Sequence, residues 1–279
     1  MKRSGEHLQS QLNIDMKIYR RTTSGIFSII DTPVSFPHPI VTVGSFDGVH
    51  VAHRTILRQV VDKAKQIGGT SVLITFDPHP REVLTNQSFE LLQTNEEKMA
   101  KLMETGLDML VIISFTKEFA SLSAAEFIQS VVVDSLHAQV MIVGYNHNFG
   151  HDRQGGFAQL LQLGEQFGFS VEQMPALFVR EESVSSSKIR KALKNGDIQT
   201  ANTYLGYCYE ISGALKDGTL LLNGGVHKLL PCEGIYTVQV TMPDCSIFNV
   251  VDELEVLPNS LRLKHTTQQQ SERCTIRFI

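Results

Sequence analysis

The chain has 279 residues, 42% of them hydrophobic and 19% charged, enough apolar content for one large domain or two modest ones. Its 25 Lys and Arg against 29 Asp and Glu give a net charge of −4, which argues against a dedicated nucleic-acid binder, because such proteins need surplus cationic surface to displace counterions. No apolar run approaches the ~20 residues that span a bilayer, and the N-terminus lacks a hydrophobic signal core, so the sequence predicts a cytoplasmic protein with no membrane partner.

Residues 1–15 are unpatterned and are predicted to form a flexible arm. Ile40–Val43 reads as a short buried strand, followed by the turn pair Asp47-Gly48 and at once by an amphipathic helix. The helix carries Ile56, Leu57, Val60, Val61, Ala64 and Ile67 at the three-and-four spacing of one buried face, and Gly68-Gly69 offers a stop. His50 and His53, three residues apart in its first turn, should project to one side. There they meet the N–H groups of a helix N-terminus, where anions bind well, and the combination points to phosphate chemistry. A metal site or a structural cap is the competing reading; a His-x-x-His pair with no third ligand nearby supports the metal thinly.

Further along, Ser71–Phe76, Met109–Ile113, Gln139–Val143 and Phe169–Met174 read as strands. Between them the pattern predicts helices over Asn95–Gly106, from Ser123 with Glu126 in a capping box, and over Phe157–Phe167. Alternation of this kind implies a parallel α/β sheet with helices on both faces, and in such sheets ligands bind beyond the carboxyl ends of the strands. Neither G-x-G-x-x-G nor the Gly-Lys of a P-loop occurs, so phosphate binding would use another device. Ser185-Ser186-Ser187-Lys188-Ile189-Arg190 opens a later helix. Serines there are capping residues by default, but a basic pair in a first turn opposes the helix dipole unless a polyphosphate sits beside it.

Beyond about Leu205 the chain turns all-β: Ile235–Met242, Ser246–Val256, Leu261–Lys264 and Cys274–Ile279 look like strands of a compact antiparallel barrel or part of one. Cys208, Cys232, Cys245 and Cys274 form no C-x-x-C pair and read as reduced packing thiols.

Four stretches in order resemble the bacterial bifunctional riboflavin kinase/FMN adenylyltransferase (FAD synthetase) family of the nucleotidylyltransferase superfamily. They are Gly44 to His53, Thr75-Phe76-Asp77-Pro78-His79-Pro80, Val143-Gly144-Tyr145-Asn146 through Phe149-Gly150, and Ser185–Arg190. The resemblance implies a Rossmann-like nucleotidylyltransferase domain over 16–204 and a small antiparallel β-barrel-like, kinase-derived module over 205–279. It implies small-molecule substrates, ATP and FMN, with Mg²⁺ bridging phosphates, and a product pair of FAD and pyrophosphate. By it, His50, His53 and Arg190 are the catalytic candidates. Gly44, Phe46, Ser186, Ser187 and Lys188 would join them around ATP, and Asn146, Asp77 and His79 would face FMN.

Two departures stand out. Ala52 replaces the glycine that the family pattern places between the histidines, where a methyl in a tight contact could cost about 1–3 kcal/mol. In the β module the stretch Thr219 to Leu229 is short and lacks the family's Pro-Thr-Ala-Asn, and Glu253 and Glu255 lack the pattern around a kinase base, so riboflavin kinase activity is expected to be lost. The alternatives are a catalytically weak relative that binds flavin or adenine nucleotide as a sensor or partner, and a transferase for another acceptor. Thr75–Pro80 and the Asn146 loop speak against the latter.

Overall fold

The computed structural model describes residues 16–22, 25–28, 37–85, 89–145, 156–179, 182–222, 227–242, 250–258, 260–265 and 271–279. The predicted arm over 1–15 lies outside them. The chain forms two compact units, one drawn from Met1–Phe46, Ala52–Phe89 and Met99–Ala176, the other from Asp47–Val51, Glu90–Lys98 and Leu177–Ile279.

The first unit is built on a seven-stranded sheet. Its strands are β1 (Lys17–Thr22), β2 (Gly25–Ser28), β3 (Pro39–Val43), β4 (Thr70–Asp77), β5 (Met109–Ser114), β6 (Val140–Val143) and β7 (Ser170–Gln173), in the order β2-β1-β5-β4-β3-β6-β7. All neighbours are parallel except β2, which pairs antiparallel with β1 at the edge. The predicted parallel α/β sheet is therefore present. Every residue of β3 is buried, which two-sided cover of a central parallel strand requires. One alternating set, including Val41, Val43, Val72, Ile74 and Val111, packs with Phe127, Val131, Leu160 and Leu163. The opposite set, Ile40, Leu73, Leu110 and Ile142, is also buried.

Helices α1 (Val51–Ile67), α2 (Pro80–Thr85), α3 (Asn95–Met103), α4 (Lys117–Ala120), α5 (Ala124–Phe127) and α6 (Phe157–Phe167) connect these strands. Leu57, Val60, Val61 and Ala64 form the buried stripe of α1, and Gly68 ends it at φ +64°. Ser123 and Glu126 make the capping box of α5, whose chain continues into a π-helical turn over Ile128–Val133 that the periodicity did not announce. Helix α3 stops at Met103, short of Gly106. Strand β1 was missed because its exterior is polar: Lys17 and Arg20 are exposed while Tyr19 is buried, a pattern common near sheet edges.

In the second unit, β10 (Glu210–Lys216), β11 (Thr219–Leu222), β12 (Gly234–Thr241), β13 (Val250–Leu257), β14 (Ser260–Leu263) and β15 (Ser271–Phe278) close into a barrel in the order β10-β11-β14-β13-β12-β15. Closure removes free strand edges. The barrel confirms the antiparallel β reading, although the predicted start at Ser246 lies outside the described residues. Before it come the short ribbon β8 (Phe178–Val179) and β9 (Glu182–Ser183), then α7 (Ser186–Lys194) and α8 (Ile198–Leu205). The core of this unit joins Leu92, Ile189, Leu193, Leu205 and Tyr209 to barrel residues such as Leu254, Ile276 and Phe278.

Cys274 sits in that core, fully buried, and desolvation pushes its thiol up to about 11. Cys232 is exposed. At pH 8 a thiol reagent should therefore label Cys232 within minutes and Cys274 only when the unit opens, since the thiolate is the nucleophile. Peptide mass spectrometry of the labelled chain checks this; equal rates at the two positions would contradict it.

A candidate nucleotide site at the end of the third strand

From β3 the chain moves outward through β4 and β5, then returns to the other side of β3 at β6. The carboxyl ends of β3 and β6 thus frame a topological switch point, the usual crevice for ligands in an open α/β sheet. Each strand is followed there by a glycine, Gly44 and Gly144. The Gly44 N–H donates to Ile74 O at 3.0 Å, and Thr75 Oγ1 donates to Ser45 O at 3.2 Å, so the loop leaves the sheet on fixed hydrogen bonds. A methyl on Gly144 would come within 3.1 Å of Ile56 Cδ1 of α1. Phe46 is buried, adopts φ +47°, and lays its ring against that of His53 with centroids 4.6 Å apart.

The next residues, Asp47–Val51, belong to the second unit. Gly48 at φ +90° is followed by Val49 at φ +32°, a conformation a β-branched residue adopts only when its surroundings hold it there. Several groups hold it. The Asp47 carboxylate accepts from the amides of Leu92 (3.1 Å) and Gln93 (3.2 Å) and forms an ion pair with Arg190. Ser186 Oγ donates to Asp47 O at 2.9 Å, and Tyr207 Oη donates to Gly48 O at 2.5 Å. A Cβ on Gly48 would lie 2.8 Å from Leu92 Cδ1, so glycine is required there both by φ and by close packing. Asp47 is thus an anchor as well as a turn former.

Helix α1 begins at Val51, so His50 immediately precedes it and His53 is its third residue; His50 is buried and His53 half-buried. Ala52 is the second residue of the helix and half-buried. In α7, Ser185 is the N-cap and accepts from Lys188 N, Ser186 and Ser187 are the first two residues, and Ser187 is exposed. The two cations of that turn are both engaged. Lys188 Nζ lies 2.9 Å from Glu182, whose carboxyl is held below its ordinary range by the hydrogen bond from Lys188 and then by that from Tyr204. Arg190 Nε donates to Glu90 O at 3.0 Å while its Nη2 meets Asp47.

Of the residues read as facing FMN, Asp77 ends β4 with Arg20 Nη1 at 3.5 Å, and His79 stacks on Phe89 with centroids 4.5 Å apart. Asn146 lies outside the described residues. Sequence reasoning passed over Leu92, Gln93, Glu97, Tyr207 and Lys228, because an amide donor or a lone lysine carries no local signature.

The FAD synthetase family profile matches residues 34–188, more than half of the chain, including the β3 loop, the histidines and the first residues of α7. The chain belongs to the FAD synthetase family. Relatives in that family include the bifunctional riboflavin kinase/FMN adenylyltransferase of Haemophilus influenzae, 32% identical over 228 residues that cover 78% of this chain and 74% of that one. The enzyme of the same name from Pseudomonas fluorescens is 32% identical over 210 residues, covering 72% and 68%. Among solved structures, the crystal structure of a macrolide-efflux protein from Streptococcus pneumoniae superposes with a TM-score of 0.75 over 88% of this chain and 86% of that one; at 22% identity it shows the shared fold alone. Within this FAD synthetase family chain, no helix among the described residues is long and apolar enough to cross a membrane. The described residues contain no group of three or more His, Cys, Asp and Glu that could hold a metal ion. The carboxylate nearest the histidines in sequence, Asp47, is already occupied by Arg190 and two amides. The described residues therefore do not form a metal cage of their own.

Proposed function

We propose that this chain is an FMN adenylyltransferase. A phosphate oxygen of FMN attacks the α-phosphorus of ATP in line, the bond from that phosphorus to the α–β bridging oxygen breaks, and pyrophosphate leaves as FAD forms. No covalent enzyme intermediate is involved, so catalysis consists of positioning and charge stabilisation. The observation that carries the reading is the family's histidine loop, held at the switch-point end of β3 with His50 at the threshold of α1. In this reading His50 and His53 support the charge that develops at the α-phosphoryl group, with Gly44 and Phe46 shaping the approach. Ser186, Ser187 and the N-terminus of α7 bind the β- and γ-phosphates, with Lys188 and Arg190 supplying positive potential. Asp77, His79 and Asn146 orient FMN. Mg²⁺ enters with ATP as part of the substrate, coordinated by phosphates and water, which suits an ion that prefers few protein ligands.

The domain division into 16–204 and 205–279 belongs to this proposal, as does a cytoplasmic setting. So does the loss of riboflavin kinase activity, supported by the short sequence Thr219 to Leu229, which lacks the family's Pro-Thr-Ala-Asn. One experiment tests the reading: purified protein is given Mg-ATP with FMN, and separately with riboflavin. FAD and pyrophosphate in equal amounts from FMN, and no FMN from riboflavin, are expected. Nucleotide binding without pyrophosphate release would favour the sensor reading, and FMN formed at a catalytic rate would restore the kinase.

A further inference from the structure

The second unit contains a buried ion pair that the proposed reaction does not use. Lys228 and Glu97 are 8% and 5% exposed, and Lys228 Nζ lies 2.5 Å from Glu97 Oε2, 2.7 Å from Leu92 O and 4.6 Å from the centre of the Tyr209 ring. Glu97 also accepts from the amides of Thr94 (2.9 Å) and Ser212 (3.2 Å). Tyr209 is buried, its hydroxyl donates to Leu229 O at 2.6 Å, and desolvation with the Glu97 charge beside it keeps that hydroxyl protonated far above the ordinary phenol range. An isolated buried lysine is expensive; this one is matched by a carboxylate, a carbonyl and an aromatic face.

What the pair grips is informative. Leu92 offers its carbonyl to Lys228 and its N–H to Asp47, so one residue is pinned from both sides. Its neighbour Leu91 is bridged to the segment around Lys228 through His227 O at 2.7 Å and the Leu229 N–H at 2.8 Å. Tyr207, just ahead of the barrel, accepts from Gln93 Nε2 at 2.9 Å and donates to Gly48 O. A continuous set of charge-assisted and buried hydrogen bonds thus runs from the barrel to Asp47 and Gly48, three and two residues ahead of His50.

We propose that Lys228 and Tyr207 are positioning residues for adenylyl transfer: the β module acts as the clamp that holds the Asp47–His50 loop in its strained, reactive conformation. This gives a use for a barrel that lacks the kinase loop pattern, and it rests on the adenylyltransferase reading. Positive φ at the non-glycine residues Phe46 and Val49 is conformational energy that relaxes when the clamp loosens, and His50 moves with it.

Lys228→Met alone leaves Glu97 buried without its cation, so the informative variant combines Lys228→Met with Glu97→Gln and removes both charges together. Tyr207→Phe is the milder partner, deleting a single hydroxyl. Both are measured well below their melting temperatures. A displaced catalytic group costs about 30- to 100-fold in kcat, and that loss is expected with the ATP dissociation constant changed by less than about 3-fold. Amide exchange, followed by mass spectrometry, should accelerate at least about tenfold over residues 44–53 while residues 274–278 stay protected. Unchanged exchange over 44–53 in a folded variant overturns the proposal whatever kcat does, and so does equal acceleration in both segments, which marks a merely structural role. Should the double variant not fold, Tyr207→Phe decides by the same criteria. A parent protein that makes no FAD removes the adenylyltransferase reading, and the exchange comparison still decides whether the clamp exists.

Discussion

Replacing Asp47 by alanine is expected to lower the stability of the barrel-containing unit by about 3–5 kcal/mol, the range for leaving one member of a buried ion pair alone. The Arg190 and Asp47 side chains are 12% and 4% exposed, so solvent screens the pair little. The substitution strands the guanidinium and also takes the acceptor from the amides of Leu92 and Gln93. Asp47→Asn keeps one oxygen for the amides but loses the charge and turns the other acceptor into an N–H donor, so its effect should be smaller than that of alanine but still exceed about 1 kcal/mol. Against a typical total of about 5–15 kcal/mol, that is a large share of the stability. Cys274 provides the readout, because its buried thiol in β15 reacts only when this unit opens. Its labelling rate under native conditions should rise by two orders of magnitude or more in Asp47→Ala, about what 3 kcal/mol converts to. A change of less than about 1 kcal/mol would mean that the pair behaves like a surface contact and that the loop is held elsewhere.

The same pair shows where the sequence was legible and where it was not. Strands β3 to β6 and helices α1 and α6 were readable because each carries a strong local period and its own stop, such as Gly68 after α1. The histidine loop was readable because its chemistry is concentrated within a few consecutive residues. Strand β1 was hidden by the exposed polar residues Lys17 and Arg20 along it. The β10–β11 hairpin carries an Asp217-Gly218 turn, both residues at positive φ, which is the strongest short-range hairpin signal and was available to be read. The clamp is a different case. Asp47 finds Arg190, Ser186, Leu92 and Gln93 from segments separated by up to 143 residues, and no local pattern encodes that meeting. Serines and an arginine at the start of α7 advertised an anion site. The structure shows that Ser186 and Arg190 first serve a residue of this same chain, and phosphate binding must be compatible with that duty.

His53→Ala should separate catalysis from folding. The residue is the third of α1, where alanine is a better helix former by a few tenths of a kcal/mol. The ring contact with Phe46 that disappears is worth about 0.5–1.5 kcal/mol, so the melting temperature should fall by only a few degrees. Turnover should fall by about 10²–10³, the loss seen when one preorganised donor to a developing oxyanion is removed. The disparity is the argument: Phe46 is buried beneath the imidazole and fixes the ring's plane, while the ring itself remains half-buried at the mouth of the β3 loop. A side chain placed for stability would instead be enclosed on all sides and costly to delete. The measurement pairs pyrophosphate release at saturating FMN and Mg-ATP with a thermal melt of the same sample. A large drop in melting temperature, or turnover within threefold of the parent, would take His53 out of the transition state and leave the charge at the α-phosphoryl group to His50 alone.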